Sequence, residues 1–180
     1  MASKAYRRGV SWRLAGWTIP VGLLAIPLLA NWPWTAADFI VAAAMFAIVG
    51  GIFELAVRAS GNRSYRGGAA VALATAFLLV WINLAVGIIG NENNPLNLMF
   101  FGVIVAAIVG SIVARFRARG MACAMMVAGI IQATIGIGVF ALNVEAAEPP
   151  GAIGLLVLIE FFALGWFASA WLFRKAARTS

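Results

Sequence analysis

Histidine is missing from all 180 residues, and cysteine occurs once, at Cys123. Without imidazole there can be no His-ligated haem, no His metal site and no catalysis by a histidine base. A single thiol rules out an intrachain disulfide and a zinc–thiolate site within one chain. The sequence holds no HExxH segment, no aspartate pair inside an apolar stretch and no Ser–His arrangement, so known intramembrane protease chemistries find no residues. It has no P-loop, which argues against direct use of ATP. No lysine lies within an apolar stretch, which excludes a retinal Schiff base. No catalytic residues, cofactor or metal are expected, and the residues lean away from an enzyme.

What is abundant is hydrocarbon. Apolar and aromatic residues make up 64% of the chain and charged residues 11%, against about 45–50% and about 25% in soluble domains. A spanning helix needs about 20 mostly apolar residues, and six stretches qualify: 14–32, 37–57, 67–90, 96–114, 121–142 and 151–173. The gaps between them are too short to hold a soluble domain. The expected fold is an all-α, polytopic transmembrane helix bundle of about six spans, a single membrane domain over 1–180.

Lys and Arg number 13 against six Asp and Glu, and their placement gives the orientation. Lys4, Arg7, Arg8 and Arg13 precede the first stretch, and Arg58, Arg63 and Arg66 fill the second gap. Arg115, Arg117 and Arg119 fill the fourth gap, and Arg174, Lys175 and Arg178 form the tail. Basic clusters at alternate gaps stay cytoplasmic, which puts both termini inside and leaves Asp38, Glu92, Glu145 and Glu148 outside. The expected partners are the lipid bilayer and anionic lipid headgroups on the cytoplasmic side, at roughly 1 kcal/mol per basic residue near the surface; no nucleic acid is expected. The first stretch is the weakest, crowded by Arg13 and interrupted by Pro20 and Pro27, which are expected to kink it. A cleaved signal peptide is the competing reading of residues 1–30, but Leu28-Leu29-Ala30 is a poor cleavage site. The excess of Arg over Lys and the abundance of Ala read as a GC-rich bacterial genome.

Tryptophans follow the same depth scale. Trp12 and Trp171 fall near the inner boundary, and Trp32 and Trp34 near the outer one. Trp81 and Trp166 lie deeper and are expected between helices. Because lipid is as apolar as leucine, helices associate through close backbone contact at small residues. Such residues recur every four positions: Ala43, Ala47 and Gly51; Gly102, Ala106, Gly110 and Ala114; and Ala124, Ala128 and Gly136, with Gln132 at the missing step.

Glu160 is the sharpest feature. It lies about two residues, or ~3 Å, from the midpoint of the sixth stretch. A charged carboxylate there costs on the order of 3 kcal/mol on insertion scales. Its neighbours three and four positions away, Leu156, Val157, Ala163 and Leu164, offer no partner. Gln132, at the centre of the fifth stretch, and Asn83, expected on a face with Ala76, Gly87 and Gly90, are the candidate partners. Glu160, Gln132 and Asn83 thus form a candidate intramembrane polar site: either a proton- or cation-responsive group, since loss of water favours the neutral acid, or an interhelical hydrogen bond worth about 0.6 kcal/mol. Glu54 stands one turn before Arg58, in the favourable order for a structural ion pair. Asn91, Glu92 and Asn94 offer oxygens for a polar contact in the outer loop. Asn94 before Pro95 also reads as the cap that opens a helix.

The run from Asn62-Arg63 through Tyr65-Arg66, followed by Asn83-Leu84-Ala85-Val86-Gly87-Ile88-Ile89-Gly90, resembles small uncharacterised multi-pass inner-membrane proteins of bacteria, especially proteobacteria. The resemblance covers about residues 35–120 and implies a bacterial cytoplasmic-membrane location, with no activity or site to transfer. Two functions fit these residues. One is a small transporter, channel-like or proton-linked membrane protein, as a homo-oligomer or with a membrane-protein partner. The other is a non-catalytic accessory, assembly or scaffolding subunit of a membrane complex.

Overall fold

The computed structural model describes residues 18–144 and 150–179. The expectations that rest on Lys4, Arg7, Arg8, Trp12, Arg13, Glu145 and Glu148 lie outside those residues. Among the described residues the secondary structure is helical, with no strand. The described part of α1 is Thr18–Leu29. It is followed by α2 (Ala36–Ala59), α3 (Arg63–Ala85), α4 (Leu98–Val113), α5 (Ala118–Ala141) and α6 (Gly151–Arg178), with a 3₁₀ turn at Pro95–Asn97 leading into α4. Five helices, α2 to α6 (α4 counted with its 3₁₀ turn), are long and apolar enough to cross a membrane. At ~1.5 Å per residue, the 23 residues of α3 extend ~35 Å, beyond the ~30 Å of bilayer hydrocarbon. This fits a multi-pass membrane protein.

The chain divides into two compact units, Met1–Glu54 and Leu55–Ser180. In the first, α1 ends where Asn31 turns to φ +50° and the Trp32 N–H donates to the Pro27 carbonyl at 3.0 Å. Asparagine tolerates this left-handed conformation better than most residues. Thr35 and Asp38 then open α2 reciprocally. The Thr35 N–H and hydroxyl both donate to Asp38 Oδ2, at 2.7 and 2.9 Å, and the Asp38 N–H points back at Thr35 Oγ1 at 3.4 Å, the logic of a capping box. Trp32 and Trp34 meet edge to face, as do Trp34 and Phe39.

The second unit is built on α6, which packs along α3 on one side and α5 on the other; α5 also packs on α4. Small side chains set these approaches. Ser169 Oγ of α6 donates to the Gly68 carbonyl of α3 at 2.8 Å, and Gly165 of α6 leaves room for the Thr75 hydroxyl of α3. A Cβ on Gly110 of α4 would lie 2.8 Å from that of Ala124 on α5, and one on Gly129 of α5 would lie 2.5 Å from the Phe167 ring. The stripe expected on α5 is buried along its length at Ala124, Ala128, Gln132 and Gly136. The stripe expected on α4 faces a neighbour only in its second half. Gly102 meets nothing within 4 Å, and the buried face of α4 runs instead through Phe100, Val103, Ala107 and Ser111. On α2, Gly51 likewise stands in open space.

The helices of this unit alternate in direction, so their basic residues collect at one end. The Tyr65 hydroxyl at the start of α3 donates to the Phe116 carbonyl in the α4–α5 turn at 2.8 Å, and Asn62 Nδ2 donates to Thr179 Oγ1, just past α6, at 3.0 Å. Arg66 closes the last turn of α2, donating to the carbonyls of Ser60 and Val57 at 2.6 and 2.8 Å. Trp171 is exposed, with Lys175 Nζ 5.5 Å from the ring centroid, an arrangement that holds the cation at the rim of an apolar surface.

Helix α3 is shorter at its far end than the 67–90 apolar run suggests. It stops at Ala85, and Gly87 takes φ +75°. Its N–H donates to the Ile82 carbonyl at 3.0 Å. A Cβ on Gly87 would stand 2.5 Å from the Asn91 carbonyl group. The chain folds back here so that Ile88 and Ile89, at 4% and 0% exposure, join an apolar cluster with Leu79, Phe100, Val139 and Ile159. Gly87 and Gly90 therefore do not share a helical face with Asn83.

Candidate functional site

Glu160, Gln132 and Asn83 all sit in the second unit, but two of them share a seam and the third does not. Gln132, on α5, is fully buried and its Nε2 reaches the Ile159 carbonyl of α6 at 3.5 Å. Glu160 follows Ile159, and its Oε1 lies over Gly136 of α5, where a Cβ would approach to 2.5 Å. Gln132 and Gly136 are one turn apart, ~6 Å along the helix. Glycine at 136 thus makes the recess that admits the carboxyl group, one helical turn from Gln132. Asn83, on α3, is buried at 4% exposure and spends its Nδ2 on the Leu79 carbonyl of its own helix at 2.7 Å. No hydrogen bond joins it to Gln132 or Glu160.

The seam is short of donors. Gln132 Oε1 and Glu160 Oε1 are enclosed acceptors with no hydrogen-bond partner; away from the seam, Asn83 Oδ1 is another such acceptor and Trp166 Nε1 an enclosed donor without a partner. A buried polar atom left unpaired costs about 1–3 kcal/mol. Exchanging the amide N and O of Gln132 would set oxygen against the Ile159 carbonyl. Elsewhere in these helices hydroxyls satisfy themselves by bonding back one turn: Thr75 to Val71, Ser111 to Ala107 and Thr134 to Ile130, at 2.7–2.8 Å. Glu160 and Gln132 have no such recourse.

Glu160 is half-buried, with one oxygen enclosed in the seam. The adjoining surface of α6 carries exposed Ile153, Val157, Phe161 and Leu164. The carboxyl group therefore stands at the edge of the α5–α6 contact, where packed interior gives way to a surface suited to lipid. Trp166 is buried at 1% exposure among residues of α3, α4 and α5, and Trp81 stacks on Phe77 at 5.9 Å.

In the outer-loop group, Asn91 and Glu92 are exposed and Asn94 is half-buried. Their polar atoms serve the loop itself. Asn91 Oδ1 accepts from the Asn93 N–H at 2.9 Å, Glu92 Oε1 accepts from Asn93 Nδ2 at 3.2 Å, and Asn94 Oδ1 caps the 3₁₀ turn by accepting from the Leu96 N–H at 3.0 Å. The residue that organises the loop is Asn97, which sequence reasoning did not single out. Buried at 4% exposure, it accepts at Oδ1 from the N–H groups of Ile88 and Ile89, at 3.1 and 2.9 Å. Its Nδ2 donates to the carbonyls of Ile89 and Asn91, at 3.2 and 2.8 Å. Glu54 and Arg58 lie one turn apart on α2, the first half-buried and the second exposed.

Comparison with family models, with curated proteins and with solved structures finds no match.

Proposed function

We propose that this chain is a six-span protein of the bacterial cytoplasmic membrane, with both termini in the cytoplasm, acting as a small transporter or channel-like, proton-linked protein in which Glu160 is the working group. It would belong with the small multi-pass proteobacterial proteins that its sequence resembles, as a homo-oligomer or with a membrane-protein partner, its basic end against anionic headgroups. The observation that carries the functional reading is Glu160 itself. A carboxyl group at mid-membrane depth is expensive to place, and here it rests on a glycine recess with an enclosed oxygen that no donor reaches. Structural packing would be served as well by leucine.

The test is a flux measurement in proteoliposomes carrying a trapped pH-sensitive dye. Glu160→Gln should abolish proton movement while leaving the bundle folded, as judged by elution and thermal unfolding in detergent. Unchanged flux would remove Glu160 from the mechanism.

The accessory-subunit reading draws support from a different place. Gly102 on α4 has open space where a neighbour could approach, with Ala106 half-buried one turn on. On that reading Gly102→Leu and Ala106→Leu should fold normally but lose a co-purifying partner. Recovery of this protein alone from mild detergent would count against it.

A further inference from the structure

We propose that the α5–α6 seam binds a single proton, held on the Glu160 carboxyl group and directed at Gln132 Oε1. The inference deepens the reading of Glu160 as the working group by assigning its proton a hydrogen-bond acceptor, and binding can be measured apart from transport.

Two enclosed oxygen acceptors, Gln132 Oε1 and Glu160 Oε1, lie on facing helices at neighbouring turns with no donor for either. The amide nitrogen of Gln132 faces the Ile159 carbonyl at 3.5 Å rather than either oxygen. Only one of the two groups can become a donor: a protonated carboxyl carries an O–H, whereas an amide carbonyl cannot. One proton on Glu160 therefore supplies a donor and leaves Gln132 Oε1 as its acceptor. Binding converts carboxylate and hydronium to carboxylic acid and water; one O–H bond forms on Glu160, one breaks on hydronium, and nothing is oxidised or reduced.

A metal cation fits the same place poorly. One carboxylate and one amide oxygen cannot replace a hydration shell, and no group of three or more acidic, Cys or His side chains able to hold a metal occurs among the described residues. Among the described residues of this unit, no other charge lies beside Glu160. In the helices packed against this part of α6, α5 carries no ionisable residue after Cys123, α4 carries none, and α3 carries none after Arg66. The basic residues of α6 lie at its far end, from Arg174 onward.

The geometry also fixes the route by which a probe can reach the site. Exposed Val157, Phe161 and Leu164 border Glu160, so an apolar reagent dissolved in lipid can approach it from the side. The full chain is reconstituted in vesicles of phosphatidylcholine and phosphatidylglycerol and treated with dicyclohexylcarbodiimide, which attacks protonated carboxyl groups in apolar surroundings. Peptide mass spectrometry should locate the adduct on Glu160. Its rate of formation should fall about tenfold per pH unit above the midpoint of titration, and replacing choline chloride by sodium or lithium chloride should leave it unchanged. Infrared spectroscopy should show a carboxylic-acid C=O band that is absent in Glu160→Gln. In Gln132→Met, which keeps side-chain length and removes the acceptor, the band should move to higher frequency.

Protection by sodium or lithium would overturn the proposal in favour of a cation site. Absence of adduct at every pH, or a band unmoved by Gln132→Met, would overturn it outright. Should Glu160-dependent flux exist without adduct or band, the transport reading stands and the proton site falls. Adduct and band without flux give the reverse.

Discussion

Ser169 on α6 donates its hydroxyl proton to the main-chain carbonyl of Gly68 on α3, at 2.8 Å. The contact depends on a bare backbone, since a Cβ on Gly68 would already press to 3.1 Å against the Phe173 ring. Interhelical hydrogen bonds in membrane proteins average about 0.6 kcal/mol and reach about 1.7. Ser169→Ala should therefore cost about 1 kcal/mol or less. Gly68→Leu should cost several times more, because it forces α3 and α6 apart along their shared length. Unfolding in mixed micelles with increasing sodium dodecyl sulfate would measure both.

Asn97 predicts a larger effect from a loop residue. Its side chain makes four hydrogen bonds to backbone groups between Ile88 and Asn91, and two of those groups are the N–H groups of the buried Ile88 and Ile89. Asn97→Leu leaves them unpaired, at about 1–3 kcal/mol each. Asn97→Asp restores the acceptor but turns an oxygen toward two carbonyls, so it should rescue only in part. Limited proteolysis should find new cleavage between residues 86 and 97 in Asn97→Leu, with the helices intact by circular dichroism.

Two glycines eight residues apart on one helix should respond oppositely. Gly110→Leu places a side chain where Ala124 already sits 2.8 Å from the would-be Cβ, whereas Gly102→Leu enters open space. Overpacking typically costs about 1–3 kcal/mol, so the first variant should lose that much stability and the second should stay within about 0.5 kcal/mol of the parent. Equal losses would mean that the face of α4 bearing Gly102 is covered by another copy or partner.

Orientation in the membrane is open to direct measurement in a Cys123→Ala background. Asn93→Cys should react with a membrane-impermeant maleimide in intact cells or spheroplasts, and Ser60→Cys should react only after permeabilisation. Labelling of both from the same side would refute the alternating arrangement and the inside placement of the basic end.

The parts of this fold legible in the sequence were those set by composition and by spacing at fixed turns. Ala124, Ala128, Gln132 and Gly136 could be placed on one packed face because small residues at every fourth position have few other uses in lipid. The end of α3 could not be placed, since Val86, Ile88 and Ile89 are as apolar as a helix interior. Apolarity reports the need for burial and says nothing of backbone conformation; only Gly87 hinted that the chain turns there. Asn97 was overlooked because it looks like one more polar residue at a helix entrance. Its role depends on a loop that returns to it across nine residues, a long-range fact. The α4 stripe misled over half its length because small residues line whichever face a neighbour occupies, and periodicity alone does not say where that neighbour ends. For the candidate site, depth singled out Glu160 and Gln132. The separation of Asn83 from them follows from its bond to Leu79, which spacing does not reveal.

The placement of α6 bears on how the molecule is made. This helix contacts both α3 and α5, yet the ribosome produces it after them. Until it enters the bilayer, the Gly68 carbonyl lacks the Ser169 hydroxyl, the Gln132 side chain lacks the Ile159 carbonyl, and the recess at Gly136 stays empty. Completion of this unit must therefore wait for α6, and a nascent chain halted before Gly151 would present membrane quality-control proteases with two uncovered helix faces.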